Sequence, residues 1–184
     1  MAKLDMETRI DRLESRFEIA ELVGAYCSTC DARDMDGMAA IFTDDIVMES
    51  SDGGMNSYGK DEVIAMFNRV LGIRGPGFHW THDHTVKFDD DDPNLATGTV
   101  EAHAETSPNF VPSLSALRYH DTYRREDGVW RFAKRSLTFF YYVPLTEFIN
   151  RFKEPERVLA PTGWRQADYP EKLDSWKEWQ ANNA

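Results

Sequence analysis

Long hydrophobic runs are missing from this 184-residue sequence. No window approaches the ~20 consecutive apolar residues that a membrane-spanning helix needs. The polar segment 1–9 lacks the apolar core of a secretory signal, and no internal repeat is present. We therefore expect a cytoplasmic protein without a membrane partner, and the length favours a single domain.

Positive charge is in short supply and is not clustered. The chain has 21 Lys and Arg residues against 32 Asp and Glu residues, which gives a formal net charge of -11. Such a chain repels phosphate backbones, so we expect no nucleic-acid partner. Hydrophobic residues make up 41% of the chain, a fraction typical of globular proteins, and neutral or cationic small molecules remain open as ligands.

Cysteine occurs only twice, at Cys27 and Cys30. Their Cys-x-x-Cys spacing is found in redox and metal sites. However, both lie within a helical pattern, and no second pair is present to complete a zinc site. Free cysteine often packs as a small buried hydrophobic residue, so core packing is the favoured interpretation and redox or metal chemistry is the alternative.

The first part of the chain has helical periodicity. Residues recur at spacings of three and four along one stripe that ends in a carboxylate, which predicts a long helix with its apolar face in the core. The stripe comprises Ile10, Leu13, Phe17, Ala20, Gly24, Cys27 and Asp31. A short helix capped by Asp34 and a third helix that begins near Asp61 are predicted to follow.

The second part of the chain has the two-residue period of strands. Segments 79–88, 96–105, 115–125 and 129–142 are strand-like, and the Glu-Asp-Gly sequence at 126–128 is a hairpin signal. Helices followed by long antiparallel strands predict an α+β fold. We expect a curved antiparallel sheet wrapped around the N-terminal helices, with a pocket between them.

Four sequence features together resemble the SnoaL-like branch of the nuclear-transport-factor-two superfamily. They are Tyr26 with Asp31, Asp36 with Phe42, the segment Phe-His-Trp-Thr-His-Asp-His at 78–84, and the segment Tyr-Arg-Arg-Glu-Asp-Gly-Val-Trp-Arg-Phe at 123–132. The resemblance covers most of residues 10–145. It is strongest to the group of hexachlorocyclohexane dehydrochlorinases and scytalone dehydratases, which are lyases without a cofactor.

The resemblance implies a domain organisation and a set of catalytic residues. The cone-shaped domain would span residues 1–145, and residues 146–184 would form an extension that packs on the domain, the pocket mouth or a neighbouring subunit. Asp31, His79 and Arg135 match the catalytic positions of the dehydrochlorinases. Tyr26 stands where those enzymes have a lysine, which argues against chloride as the leaving group.

The residues at these positions have suitable chemistry for proton transfer. A neutral imidazole is a competent base near pH 7, and a carboxylate on its other nitrogen fixes the tautomer, so Asp31 and His79 are predicted to act as a pair. Arg135 would assist the departing group. The alternatives are a solvent-exposed helix end for Asp31, a loop-bonded histidine for His79, and an ion pair of Arg135 with Asp121 or Glu101.

Alternation along the first long strand separates the histidines of segment 79–84. His79, Thr81 and Asp83 would share one face, while Trp80, His82 and His84 would share the other. A metal site of three histidines needs all three imidazoles on one side. We therefore expect no metal and no cofactor.

Aromatic and polar residues near this strand are candidates for substrate binding. Hydroxyl donors and aromatic surface suit an aromatic or alicyclic substrate. The predicted substrate-binding residues are Tyr26, Trp80, His103, Tyr119, Asp121 and Phe140. The alternatives are core packing and an interface between subunits, since we expect a homodimer or homotrimer.

Together these features predict a cofactor-free lyase that acts on a small hydrophobic, aromatic compound. His79 and Asp31 would assist proton transfer, and the eliminated group would be water or a small fragment such as formaldehyde from a lignin-derived diaryl compound. An isomerase or cyclase with the same pair, and a binding protein without chemistry, are the alternatives.

Overall fold

The first three helices of this protein precede its four longest strands, as a computed structural model that describes residues 4–183 shows. The elements in chain order are α1 (Met6–Ala32), α2 (Met35–Ala40), β1 (Phe42–Ser50), β2 (Ser57–Tyr58), α3 (Lys60–Gly72), β3 (Phe78–Phe88), β4 (Leu95–Thr106), β5 (Ser113–Glu126) and β6 (Val129–Pro144). A 3₁₀ turn (Leu145–Glu147), α4 (Phe148–Arg151), β7 (Val158–Ala160), β8 (Gly163–Arg165) and α5 (Asp174–Asn183) follow. Residues 1–3 of the polar N-terminal segment lie outside the described residues. No helix among residues 4–183 has the length and apolar character to cross a bilayer.

One sheet forms the body of the fold, with strand order β2-β1-β6-β5-β4-β3. Strands β3 to β6 pair antiparallel, whereas β1 joins β6 in parallel. Helix α1 lies against β3 and β6, and α3 lies against β1, so the core fills the space between the helices and one face of the sheet. We call this face the inner face. The predicted α+β class, with N-terminal helices against a curved sheet, is confirmed.

Helix α1 begins at an N-cap, Asp5, whose side chain accepts a hydrogen bond from the backbone N–H of Thr8. The predicted apolar stripe is wrong as far as Gly24: Ile10, Leu13 and Phe17 are 48%, 57% and 73% exposed, and Ala20 and Gly24 are exposed too. The helix carries two apolar stripes, and periodicity alone does not say which one meets the sheet. The residues that are buried are Ser15, Ile19, Leu22, Val23, Tyr26 and Cys30.

Strand β3 contains a bulge that reverses the face of its later residues. Between His82 and Thr85 the strand has one residue more than its partner β4, and Asp83 takes a positive φ of 37°. A bulge shifts the alternation of side chains by one position. His84 therefore lies on the inner face and not beside His82, so the predicted grouping of the two histidines is wrong.

The C-terminal segment 146–183 adds β7 to the sheet beside β6, and another part of it packs against the outer face of β5 and β6. The Tyr169 ring lies 4.9 Å from the Phe140 ring, between centroids, and the Arg118 guanidinium lies 4.5 Å from the centroid of Tyr169. The buried Arg157 donates to the Glu171 carboxylate at 2.6 Å and to the carbonyl of Phe140 at 2.8 Å. These contacts hold the segment next to one opening of the pocket described below.

Candidate active site

A carboxylate and an imidazole meet where the end of α1 crosses the start of β3. Asp31 lies in the last turn of α1, and His79 is the second residue of β3. The Asp31 Oδ1 atom lies 2.6 Å from His79 Nδ1, and Asp31 Oδ2 accepts the backbone N–H of His79 at 3.0 Å. The Asp31 side chain is 24% exposed and the His79 side chain is 14% exposed. Two bonds thus fix the carboxylate against the ring, which leaves Nε2 as the ring nitrogen for a bound molecule.

His79 lines a small inner cavity between the helices and the sheet. The cavity has a volume of about 50 Å³, and its walls are mainly apolar and aromatic. They include Tyr26, Phe67, Leu71, Leu117, Tyr119, Leu137, Phe139 and Tyr142. The cavity shares Met55, Val70, Phe139 and Tyr142 with an outer pocket of about 540 Å³, which reaches Leu159 and Pro161 of the C-terminal segment. That volume is within the range of sites for small organic ligands.

Two tyrosines line the cavity, Tyr26 from α1 and Tyr119 from β5. Tyr26 and Tyr119 are 2% and 1% exposed, and their ring centroids lie 5.7 Å apart in an edge-on arrangement. Burial raises the pKa of both phenols above the usual value. Each hydroxyl therefore keeps its proton and is available as a hydrogen-bond donor over the ordinary pH range.

Arg135 lies behind these tyrosines and does not line the cavity. Its guanidinium is fully buried and donates from Nε and Nη2 to the two oxygens of Asp121, at 2.9 and 2.7 Å. It also lies 4.2 Å and 4.0 Å from the ring centroids of Tyr26 and Tyr119. Although burial disfavours the charged form, the Asp121 carboxylate holds the pKa of Arg135 above its usual value. The geometry is that of the predicted alternative, an ion pair with Asp121.

The buried ion pair provides a stability prediction. We expect Arg135→Met to lower the free energy of unfolding by about 3–5 kcal/mol, because it leaves the Asp121 carboxylate buried without its cation. Urea denaturation of the variant would measure the loss. The double variant with Asp121→Leu should recover most of it, since no buried charge then remains. A loss below about 1 kcal/mol in the single variant would contradict this account of the pair.

The bulge of β3 places His84 beside the buried residues that surround Asp121. His84 Nε2 lies 3.2 Å from the hydroxyl oxygen of Tyr123, and that hydroxyl donates to Asp121 at 2.8 Å. Burial lowers the pKa of His84, so the ring is neutral near pH 7. Strict alternation predicted His84 on the face opposite His79. The extra residue at the bulge places it on the inner face instead.

Cys30, Asp31 and His79 are the described residues whose donor atoms are grouped as a metal site would require. One ligand atom of each lies within 4.8 Å of the others. Burial raises the pKa of the Cys30 thiol to about 12, and that of Cys27 to about 11. A metal would have to remove the proton from a buried thiol and replace the hydrogen bond between Asp31 and His79. The donor set therefore fits a hydrogen-bonded pair better than a metal.

Four of the predicted substrate-binding residues lie away from the cavity: Asp121 is buried against Arg135, and the other three lie on the outer face of the sheet. Trp80 and His103 face each other across β3 and β4 on the outer face, where Trp80 is 56% exposed. His103 Nδ1 lies 3.0 Å from Nε2 of His82. Phe140 also lies on the outer face, beneath Tyr169. Strand alternation puts these side chains opposite Phe139 and His79, so they do not contribute to the cavity wall.

Several residues of the cavity were not predicted from the sequence. Met55 comes from the loop before β2, Val70 and Leu71 from α3, and Tyr142 from the end of β6. Arg74 follows α3 and also lines the cavity. The available signal was the apolar face of α3, but nothing in the sequence indicated that the Gly-rich segment after it turns back toward Asp31.

Comparisons with known proteins identify similar sequences and folds. The model of the SnoaL-like domain family matches residues 11–136. Gamma-hexachlorocyclohexane dehydrochlorinase of Sphingobium indicum is 30% identical over 141 residues, which are 74% of this chain and 87% of that protein. A crystal structure of a type 2 hexachlorocyclohexane dehydrochlorinase is 25% identical with a TM-score of 0.68, and the match covers 74% of this chain and 93% of that one.

A putative scytalone dehydratase from Novosphingobium aromaticivorans has the same fold. Its structure matches with a TM-score of 0.68 at 17% identity, over 74% of this chain and 91% of that one. These structural matches confirm the predicted cone-shaped α+β fold.

Proposed function

This chain belongs to the SnoaL-like family, and from that membership we propose that it is a cofactor-free lyase acting on a small hydrophobic, aromatic compound. A relative named as a dehydrochlorinase supports a lyase-type activity. The single observation that carries the proposal is the His79–Asp31 pair, with 2.6 Å between Nδ1 and Oδ1, at the wall of an apolar cavity.

His79 is the proton acceptor in this proposal. The Asp31 carboxylate accepts the Nδ1–H, so Nε2 carries the lone pair that takes a proton from the substrate. The same carboxylate stabilises the imidazolium that forms, and the second bond to the backbone of His79 keeps the carboxylate in place. The apolar walls reduce competition from bulk water for that charge.

Tyr26, which also lines the cavity, is the proton donor in this proposal. It occupies the position at which the dehydrochlorinase group has a lysine, and its hydroxyl is protonated because burial raises the pKa. A phenol suits an oxygen leaving group, since a departing hydroxide is a far stronger base than a phenolate. Arg135, 4.2 Å from the Tyr26 ring, favours the transient phenolate and acts through the tyrosine rather than on the substrate.

The eliminated group would be water or formaldehyde. In a lignin-derived 1,2-diarylpropane-1,3-diol, His79 would take the proton of the primary hydroxyl, and the adjacent carbon–carbon bond would break to release formaldehyde. The electron pair of that bond forms the carbon–carbon double bond, while the benzylic hydroxyl leaves as water with a proton from Tyr26. The products are a stilbene, formaldehyde and water, so atoms and electrons balance without a redox cofactor.

Product analysis tests this proposal. We would incubate the protein with 1,2-diarylpropane-1,3-diols and with β-hydroxy aryl ketones, and follow products by mass spectrometry with a separate assay for formaldehyde. A lyase gives an alkene with loss of water, or of water and formaldehyde, and His79→Gln gives none. A product of unchanged mass would replace the proposal with an isomerase, and a ligand that binds but is recovered unchanged would replace it with a binding protein.

A further inference from the structure

Arg74 lies where the inner cavity meets both of its openings. One opening is the outer pocket near Pro144 and Leu159, and the other is a groove of about 480 Å³ beside Asp31 and His79. Within residues 4–183, Arg74 is the one residue that lines the inner cavity, the outer pocket and the groove. A molecule that enters from either side therefore passes this side chain.

The charge of Arg74 has no acceptor among residues 4–183. Its guanidinium makes no ion pair or hydrogen bond with any residue in the range 4–183. Burial and the Asp31 carboxylate raise the pKa of the Cys30 thiol, and the Arg74 charge opposes them. Arg74, Cys30 and His79 all line both the inner cavity and the groove, so Arg74 borders the same spaces as the proton-accepting ring.

The backbone around Arg74 is held in place by the helix that carries Asp31. Arg33 caps the C-terminus of α1, and its Nη2 donates to the carbonyls of Arg74 and Gly75 at 2.6 and 3.2 Å. This ties the segment after α3 to the end of α1. Arg33 thus uses its own charge within the protein, whereas Arg74 presents its charge to the cavity.

Arg74 has Asp31 and His79 as neighbours in the lining of the groove, whereas its outer-pocket side is largely apolar. The outer pocket is lined near it by Met55, Val70, Ile73 and Tyr142. Its one carboxylate, Asp52, is already used, since Oδ1 accepts the hydroxyl of Ser50 at 2.6 Å and the backbone N–H of Gly54 at 3.0 Å. An unpaired guanidinium among apolar side chains favours binding of an anion, because low local polarity strengthens the interaction between the two charges.

We propose that Arg74 anchors an anionic oxygen substituent, a carboxylate or a phenolate, on the aromatic substrate. The anchored ring would lie in the outer pocket, and the reacting carbons would reach the inner cavity between His79 and Tyr26. This assignment deepens the proposed lyase function and rests on it for the location of the reacting carbons. It also gives an acidic protein a local cation that selects charged aromatic ligands over neutral ones.

Binding of matched probes tests the anchor without any turnover. Calorimetric titration would compare 2-naphthoate with 2-naphthamide for the carboxylate, and 4-nitrophenolate with 4-nitroaniline for the phenolate. A charge-assisted contact predicts that the wild-type protein prefers the anion of at least one pair by about 10- to 100-fold. Arg74→Gln should abolish that preference, and Arg74→Lys should keep part of it.

Arg69→Gln is the matched control, because it removes the same charge from the exposed side of α3 and lines none of the three spaces. It should retain the preference. Equal affinity for anion and amide or amine in the wild-type protein, or a preference that survives in Arg74→Gln, would overturn the anchor. His79→Gln separates the two proposals, because it should lose turnover and keep the anion preference. Turnover thus tests the lyase proposal, and the anion preference tests the anchor.

Discussion

Replacing His79 by alanine is expected to lower kcat by about 1000-fold or more. The substitution removes the nitrogen that accepts the substrate proton, and no other imidazole lines the inner cavity in the described part of the chain. The backbone N–H of residue 79 still donates to Asp31, so the start of β3 should keep its position. Steady-state kinetics on the turned-over substrate, with a thermal melt to verify folding, would measure the effect.

His103→Ala is the matched control for this prediction. His103 is a histidine on the neighbouring strand at about the same depth along the sheet, but it lies on the outer face against His82. Its replacement should leave kcat within about twofold of wild type. Activity of a tenth or more of the wild-type value in His79→Ala would mean that another group moves the proton.

Replacing Asp31 by asparagine is expected to cost about as much, and for a more specific reason. The amide oxygen would still accept the backbone N–H of His79, but the amide nitrogen would then face Nδ1 and donate to it. The ring would take the opposite tautomer, with its proton on Nε2 where the substrate proton must go. Loss of the correct tautomer in a carboxylate–histidine pair costs up to ~10⁴-fold in kcat.

The effect of Asp31→Asn should appear in kcat rather than in KM, since the amide keeps the size and position of the carboxylate. Asp61→Asn, at an exposed position in the first turn of α3, removes the same charge far from the cavity and should have near wild-type kinetics. A kcat for Asp31→Asn within fivefold of wild type would show that the carboxylate does not set the tautomer.

The strands of the cone could be predicted from the sequence, and their faces only in part. Two-residue periodicity located β3 to β6 within a few residues, because each of these strands has one face in the core. Periodicity carries no information on an extra residue, so the bulge at Asp83 and the inward position of His84 were missed. On α1, the choice between two apolar stripes depended on contacts with the sheet, and Phe17 lies on the exposed one.

The candidate site was predicted where family motifs marked it and missed where only tertiary contacts define it. Asp31 and His79 are 48 residues apart in sequence, and the resemblance to the family predicted their pairing. Arg74 belongs to no motif, and its place depends on the bonds from Arg33 to two backbone carbonyls. The outward side chains of Trp80 and Phe140 were chosen for aromatic character alone, which does not distinguish a pocket wall from an outer surface.

The protonation state of the His79 ring can be measured directly by ¹⁵N NMR of the histidine side chains in the wild-type protein at neutral pH. Asp31 at 2.6 Å from Nδ1 predicts a ring with its proton on Nδ1 and a lone pair on Nε2. The Asp31→Asn variant should give the opposite tautomer. A wild-type ring that carries its proton on Nε2, or spectra of His79 that are the same in both proteins, would contradict a His79 base oriented by Asp31.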